Sequence, residues 1–157
     1  MKTQTHKQFL INFIRCGIAG WCLEVMFTSV DSIMAGDWRL MGRTSLIMFP
    51  IYGMGALLVP ISRLMDDWLS DIPGFEEASR ERIGRIPLMI RHGLLYMVLI
   101  FIAEYVMGIW LTGAGICPWD YSYWPDNVDG VIRLNFAPLW FGTGLLFEQI
   151  TKIKSRS

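Results

Sequence analysis

Four long apolar stretches constrain this chain more than any other feature of its sequence. They cover residues 9–30, 45–65, 87–111 and 131–151. A helix needs about 20 mostly apolar residues to cross the hydrocarbon core of a bilayer, and each stretch has that length. Only 18% of the residues are charged, and most charges lie between the stretches or at the two ends. Four such helices leave too little polar surface for a water-soluble bundle, so we predict an all-α integral membrane protein, one domain of four transmembrane helices over residues 1–157.

The distribution of Lys and Arg predicts the orientation of these helices. Nine of the fourteen lie at the two ends or in and beside the central loop, residues 66–86, whereas three belong to the other two connections. Because cytoplasmic segments carry the excess of positive charge, both termini are expected in the cytoplasm and the loop of residues 112–130 outside. The chain would then be a multi-pass protein of the plasma or inner membrane. Three Glu and three Arg in the central loop predict either a short amphipathic surface helix or a solvated linker.

Composition limits the expected partners and cofactors. The net charge is +0, so nucleic acid is not an expected partner. The four apolar stretches make the lipid bilayer an expected partner. Cys16 and Cys22 lie in the first stretch and Cys117 is alone in a loop, which favours packing roles over a disulfide framework. No His or Cys joins the intramembrane acids at metal-ligand spacing, so we predict no zinc site and no cofactor.

The two halves of the chain resemble each other weakly. Glu24 opens a short apolar motif in the first stretch, and Glu104 opens a similar motif in the third. The second and fourth stretches carry a proline, an aliphatic residue and an aromatic residue ahead of a glycine-rich segment, beginning at Pro50 and Pro138. These matches predict a duplicated helical hairpin whose copies are related by an axis along the membrane normal. Coincidence between Gly- and Leu-rich segments is the alternative.

Two glutamates are the most informative ionisable residues. A charge in mid-membrane costs about 2.5–3.5 kcal/mol on insertion scales, so such side chains usually face the protein interior. Glu24 and Glu104 both fall late in helices that run outward, and Tyr52 comes to about the same level. If the duplication holds, the two carboxylates face each other, and such a pair can bind a proton, a metal ion or an amine. A protonated pair, hydrogen-bonded to Tyr52 or to backbone, is the structural alternative.

Small and aromatic residues surround the predicted glutamate site. Gly20 and Trp21 share the helix face of Glu24, and small residues there allow close approach of another helix. Residues 117–127, here called the aromatic loop, combine Trp and Tyr typical of a membrane interface with Asp120, whose spacing to a serine predicts an Asx-type turn. We therefore predict a pocket that opens outward beneath the aromatic loop. Its centre would be Glu24 and Glu104, and its wall and lid Trp21, Tyr52 and Asp120.

A second group of ionisable residues lies nearer the cytoplasmic ends of the predicted helices. It consists of Arg15, Arg91 and Glu148. Arginines that reach the interface, together with one structural ion pair, explain this inner charge cluster, so we assign it no chemistry. His92, beside Arg91, is interpreted as an interfacial histidine with satisfied hydrogen bonds rather than a metal ligand.

Several motifs resemble those of known membrane proteins. They are Gly20–Thr28, Thr44-Ser45, Ile51–Gly53, Cys117–Ser122, Trp140–Gly142 and Glu148-Gln149. Together they resemble the transmembrane protein 229 family of small animal membrane proteins and the bacterial membrane proteins described as putative ABC-transporter type IV, or CmpB-like. The resemblance covers about residues 9–150, and Cys117–Ser122 is its most specific part. It implies a four-helix membrane protein and carries over no catalytic residue.

The resemblance and the predicted pocket favour a small permease-like or solute-binding membrane component. The chain has no Gly-x-x-x-x-Gly-Lys-Ser/Thr loop, so ATP hydrolysis would need a partner subunit. Four helices are few for a complete transport pathway, so a homodimer or a partner membrane or ATP-binding subunit is implied. A membrane enzyme acting on lipid or isoprenoid groups, with the carboxylates as acid and base, is one alternative, although an enzymatic role is disfavoured. A non-catalytic assembly or regulatory partner is the other.

Overall fold

The computed structural model describes residues 2–73 and 84–153 of the chain. The α-helices are α1 (Lys2–Met34), α2 (Met48–Gly53), α3 (Leu58–Ser70), α4 (Arg85–Gly113) and α5 (Ala137–Lys152), with 3-10 helices at Met54–Leu57 and Leu134–Phe136. A two-stranded antiparallel sheet pairs β1 (Asn127–Val128) with β2 (Ile132–Arg133). The mostly helical fold agrees with the predicted all-α class. The helix or linker predicted for the central loop falls largely on residues 74–83, outside the described residues.

Three helical segments of the described chain are long and apolar enough to cross a membrane. They are His6–Met34, Met48–Ser70 and Arg85–Gly113, and they correspond to the first three predicted stretches. The second segment contains the 3-10 turn Met54–Leu57 between α2 and α3. Pro60 lies in the first turn of α3, where its missing N–H is least disruptive. The turn and the proline explain why this segment consists of two α-helices.

The fourth stretch differs from its prediction. Its helix, α5, begins at Ala137 instead of residue 131, because the preceding residues form the β1–β2 hairpin. Gly130 has a φ of +72° in the turn of this hairpin. Arg133 Nε donates to the carboxylate of Asp126 at 3.2 Å, and this contact stabilises the hairpin. The 16 residues of α5 span about 24 Å, which is less than the hydrocarbon core of about 30 Å. A fourth crossing and the cytoplasmic position of both ends stay predictions.

The second helical segment is longer than predicted at its end. We predicted that it would end at residue 65, but α3 continues to Ser70. Asp66, which begins the predicted central loop, is 2% exposed inside α3. Its carboxylate is bonded to Arg91 and His92 of α4. A charge that suggested a loop boundary is therefore a buried partner in the fold.

The helix α4 exposes many large apolar side chains and buries three polar ones, His92, Tyr96 and Glu104. Its large exposed residues include Val98, Ile102, Val106 and Ile109. Its buried residues are His92, Gly93, Tyr96, Glu104, Gly108 and Leu111. A water-soluble helix shows the opposite arrangement, with its apolar stripe towards the core. Exposed apolar residues around a long helix are expected where the surroundings are lipid, and buried ionisable residues are expected to face protein.

The chain divides into two compact units, each described here by itself. Unit 1 consists of Met1–Ala56 and Gln149–Ser157, and unit 2 of Leu57–Glu148. Within each unit, glycines bring aromatic rings onto the helix backbone. A Cβ atom at Gly20 of α1 would lie only 2.0 Å from Cγ of Tyr52, and one at Gly93 of α4 only 2.3 Å from the ring of Phe141. Such spacing leaves no room for any larger residue unless the ring moves.

Candidate functional site

Glu24 lies in unit 1, half-buried, where the segment after α1 runs back along that helix. Thr44 Oγ1 donates a hydrogen bond of 2.6 Å to Glu24 Oε2. One turn further along α1, Thr28 Oγ1 accepts from the backbone N–H of Arg43 at 2.7 Å. A Cβ atom at Gly42 would lie 2.1 Å from a backbone oxygen of α1, so the two segments are in close contact. Glu24 therefore accepts a hydrogen bond from Thr44. The segment that carries Thr44 is in turn held against α1 by the hydroxyl of Thr28.

The two aromatic residues predicted to accompany Glu24 lie in the same unit. Trp21 Nε1 donates to the carbonyl oxygen of Ser45 at 3.0 Å, and its ring centroid is 4.9 Å from that of Phe49. The ring of Tyr52 lies against Gly20, four residues before Glu24 on the same helix face. Unit 1 thus places Trp21 and Tyr52 along the face of α1 that carries the glutamate.

Glu104 lies in unit 2 and is only 9% exposed. Trp140 Nε1 of α5 donates a 3.0 Å hydrogen bond to Glu104 Oε2, and the side chain of Tyr121 also hydrogen-bonds this carboxylate. Among the described residues, no Lys, Arg or His forms an ion pair with it. A carboxylate buried in a long apolar helix without a cationic partner can bind a proton or a cation.

The aromatic loop contains the predicted Asx-type turn. The backbone N–H of Ser122 donates to Asp120 Oδ1 at 2.9 Å, which confirms that prediction. Asp120 itself is exposed, and its hydrogen bonds with the side chain and backbone of Ser122 hold the pKa of its carboxyl below the ordinary value. Trp119 Nε1 donates to the carbonyl oxygen of Val131 at 2.9 Å, which ties the loop to the β-hairpin. The loop is thus a folded segment of unit 2.

A cavity of about 280 Å³ lies at the aromatic loop within unit 2. Its lining includes the indole of Trp119 and two carboxylates, Asp120 and Asp129, and no Lys or Arg is among the described residues that line it. Gly108, one turn after Glu104, packs against the lining residue Val131; a Cβ atom there would lie 2.6 Å from Val131 Cβ. The cavity is large enough for a small ligand, and its lining residue Val131 contacts α4 at Gly108, one helical turn after Glu104.

The three residues of the predicted inner charge cluster have different surroundings. Arg15 lies in unit 1, where its Nη1 donates to the carbonyl oxygen of Ile153 at 2.7 Å. Arg91 and Glu148 lie in unit 2. Arg91 bonds to Asp66 and Glu148 to His92, and Asp66 and His92 form a buried pair with each other.

Sequence reasoning missed Asp66, because its charge placed it in the predicted loop. The sequence did contain a signal for its burial, which is the four-residue spacing of polar side chains on α3 and α4. Ser62 and Asp66 are four residues apart on α3, as His92 and Tyr96 are on α4, and the two pairs face each other. Trp140 and Thr44, the donors to the two glutamates, also lay outside the predicted site.

The predicted site residues therefore fall into two groups. Glu24, Trp21 and Tyr52 belong to unit 1, whereas Glu104 and Asp120 belong to unit 2. A single pocket centred on both glutamates stays a prediction.

Comparison with known proteins places the chain in a family. No solved structure matches this chain. A family model described as Putative ABC-transporter type IV matches residues 11–155, which include nearly all of the described helices. This match confirms the CmpB-like resemblance, while similarity to the transmembrane protein 229 family stays a prediction. With its long apolar helices and this match over most of its length, the chain is a membrane protein that belongs to the putative ABC-transporter type IV family.

Proposed function

We propose that this chain is a permease-like, solute-binding component of a transporter, and that its solute carries a positive charge. The environment of Glu104 is the observation that carries this proposal. The carboxylate is 9% exposed on a helix long enough to cross a membrane, and its described partners are the neutral donors Trp140 and Tyr121. Charged groups in such surroundings are usually paired, so a bound cation would supply the missing charge.

The cavity at the aromatic loop supports an amine as the chemical class of the solute. Two carboxylates in its lining, Asp120 and Asp129, attract cations and repel anions. Asp129 is held in place by a 2.8 Å hydrogen bond from Tyr105 Oη. The indole of Trp119 adds a surface on which an ammonium group gains about 0.5–2 kcal/mol. A small organic ammonium ion fits this combination better than an anion or a neutral sugar.

A binding role for Glu24 is part of the proposal. Its support is the duplicated motif that it shares with Glu104, and the half-buried position of its carboxylate beside Thr44. Among the described residues Glu24 forms no ion pair. We therefore propose that each hairpin contributes one carboxylate to binding.

The proposed transporter includes further subunits. The family description names ABC transporters, and this sequence has no loop of the kind that binds ATP phosphates. We propose that the chain acts with an ATP-binding subunit or with a second copy of itself. Its place would be the plasma or inner membrane, with both ends in the cytoplasm, as the distribution of Lys and Arg predicts.

Binding of a simple cation tests this proposal. Tetramethylammonium chloride is titrated into the purified protein in lipid nanodiscs, with sodium acetate as the anionic comparison, and heat or tryptophan fluorescence is recorded. We expect saturable binding of tetramethylammonium that is weakened about tenfold or more in Glu104→Gln, a difference of about 1.4 kcal/mol. The matched control is Asp37→Asn, which makes the same chemical change at a partly exposed carboxylate paired with Arg39.

Two results would contradict the proposal. One is equal affinity of the wild type and Glu104→Gln for tetramethylammonium. The other is a preference for acetate over the cation in the wild type.

A further inference from the structure

A buried chain of three titratable groups lies at one end of unit 2, away from the aromatic loop. Asp66 of α3, His92 of α4 and Glu148 of α5 are 2%, 2% and 4% exposed. His92 lies between the two acids. Its Nε2 is 3.0 Å from Asp66 Oδ2, and its Nδ1 is 3.1 Å from Glu148 Oε1. One imidazole ring thus joins three helices.

The number of protons in this chain follows from its geometry. Each ring nitrogen faces a carboxylate oxygen at hydrogen-bonding distance, and each of these contacts needs one hydrogen between its two heavy atoms. A neutral imidazole carries only one N–H, so the second hydrogen is held either by the ring of His92, as an imidazolium, or by one of the two carboxyl groups. Because carboxyl groups are ordinarily ionised near neutral pH, the imidazolium between two carboxylates is the favoured form. As an imidazolium, His92 donates to both carboxylates, and Arg91 is also bonded to Asp66.

Among the described residues of unit 2, groups from three helices face His92. Asp66 approaches from α3 and Glu148 from α5. On α4, Arg91 Nη2 is 2.6 Å from Asp66 Oδ1, and the ring centroid of Tyr96 is 5.7 Å from that of His92. The Tyr96 hydroxyl is itself engaged, since it donates to Ser62 Oγ at 2.9 Å.

We propose that Asp66, His92 and Glu148 form a proton-binding site, and that release of its proton loosens the contact of α4 with α3 or α5. On release, one ring N–H bond breaks, the proton passes to water, and the N–H electron pair stays on the ring nitrogen. A lone pair on nitrogen then faces a carboxylate oxygen at about 3 Å with no hydrogen between them, which is an unfavourable contact in a buried place. This site is separate from the proposed cation site, and it does not depend on the proposed function.

The same geometry disfavours a metal ion. Metal ligands converge on one centre, whereas here the ring stands between the carboxylates and uses a different nitrogen for each. Among the described residues, no group of three His, Cys, Asp or Glu side chains is arranged to hold a metal.

Nuclear magnetic resonance of the ring nitrogens tests the proposal. The chain has two histidines, so ¹⁵N-histidine-labelled protein carrying His6→Gln reports His92 alone. Spectra and thermal unfolding are recorded in lipid nanodiscs between about pH 5 and 9, which includes the interval of about pH 5–8 in which histidine is the usual titrating group. We expect both ring nitrogens to carry hydrogen at the acidic end, and one to lose it as the pH rises, with a fall in unfolding temperature over the same interval.

Variants separate a proton site from a fixed polar network. In Glu148→Gln the doubly protonated fraction at neutral pH should fall about tenfold or more, because one carboxylate no longer stabilises the imidazolium. Ser62→Ala removes the bond from Tyr96 and leaves both ring contacts, so its titration should match the wild type.

The wild-type titration is decisive even if a variant does not fold. A ring that carries a single N–H throughout the interval, or an unfolding temperature that does not change as the ring titrates, would overturn the proposal. A titration in Glu148→Gln identical to that of the wild type would overturn it as well.

Discussion

The helical hairpins of the two units share an equivalent contact between an aromatic ring and a glycine, but the two residues stand on opposite helices. In unit 1 the ring of Phe13 on α1 lies against Gly53 on α2, whereas in unit 2 the ring of Phe141 on α5 lies against Gly93 on α4. The alignment that matches Glu24 with Glu104 also matches Phe13 with Gly93. The alignment that matches Pro50 with Pro138 matches Gly53 with Phe141. The large and the small residue have exchanged helices, so the contact is kept while the sequence match is lost.

A second pair of contacts follows the same alignments. Thr28 meets the backbone of Arg43 in unit 1, and Gly108 meets Val131 in unit 2. Both pairs join the late part of the hairpin's first helix to the segment that returns along it. These equivalent contacts support the predicted duplication more strongly than the short sequence motifs do.

The two glutamates differ more than their motifs suggest. Glu24 is half-buried and accepts from the hydroxyl of Thr44, whereas Glu104 is buried and accepts from the indole of Trp140. Burial makes an unsatisfied or unpaired group more costly. The second hairpin should therefore be the more sensitive of the two to changes around its carboxylate.

The largest expected effect concerns the buried carboxylate of Asp66 in unit 2, which has no described counterpart in unit 1. Asp66→Ala removes a buried carboxylate and leaves Arg91 and His92 without its charge, a change that typically costs about 3–5 kcal/mol. Unfolding of the detergent-solubilised protein by heat or denaturant measures the loss. Asp37→Ala, which removes the partly exposed partner of Arg39, is the control and should leave stability nearly unchanged. Comparable losses in both variants would contradict the assignment.

The next largest effect on stability is expected when the glycine and the aromatic residue of the unit 2 hairpin are exchanged. Gly93→Phe places a second ring where that of Phe141 already lies, and overpacking of this kind costs about 1–3 kcal/mol or more. Adding Phe141→Gly reproduces the arrangement of unit 1 and should restore most of the lost stability. The same unfolding experiment measures both proteins. A double variant no more stable than Gly93→Phe would contradict the equivalence of the two hairpin contacts.

Removing the donor to each glutamate should have a smaller effect, and an unequal one. Trp140→Phe leaves the buried Glu104 without its indole partner, which costs about 1–3 kcal/mol. Thr44→Val removes the hydroxyl from Glu24, which is only half-buried, so a smaller loss of about 0.5–1.5 kcal/mol is expected. Paired unfolding curves give the difference. A greater loss in Thr44→Val would reverse the ranking of the two sites.

The smallest effect is expected in the exposed Asx-type turn. The hydrogen bonds from Ser122 hold the pKa of Asp120 below its ordinary value of 3.8. Ionised Asp120 therefore stabilises the loop above that value, and the contribution is lost as the pH falls through the lowered pKa. Proteolysis of the aromatic loop should be slightly faster in Asp120→Ala than in the wild type at neutral pH. Asp120→Asn, which keeps an acceptor oxygen, should stay close to the wild type.

Much of the helical framework could be predicted from hydropathy alone. The three segments long enough to cross a membrane lie where apolar stretches of about 20 residues occur, because chain length against bilayer thickness is a local property. The start of α5 could not be predicted in this way. Val131 and Ile132 are apolar, but they serve a β-hairpin whose turn depends on Gly130.

The candidate sites show a similar limit. Glu24 and Glu104 stood out because an isolated charge in an apolar stretch is rare. Asp66 did not stand out, because it lies next to other charges and only its contact with His92 shows that it is buried. Donors such as Trp140 come from another helix, and pairing between helices is a tertiary property that one sequence does not display.

The proposed function depends most on the carboxylate of Glu104, and metabolite profiling of a deletion strain tests that role most directly. The strain is complemented with the wild type, Glu104→Gln or Asp37→Asn, each checked for equal amounts in the membrane fraction, and amine-bearing metabolites are compared inside and outside the cells. We predict that the wild type and Asp37→Asn restore the distribution of these metabolites, whereas Glu104→Gln leaves it as in the deletion strain. Full restoration by Glu104→Gln would contradict the proposed cation site.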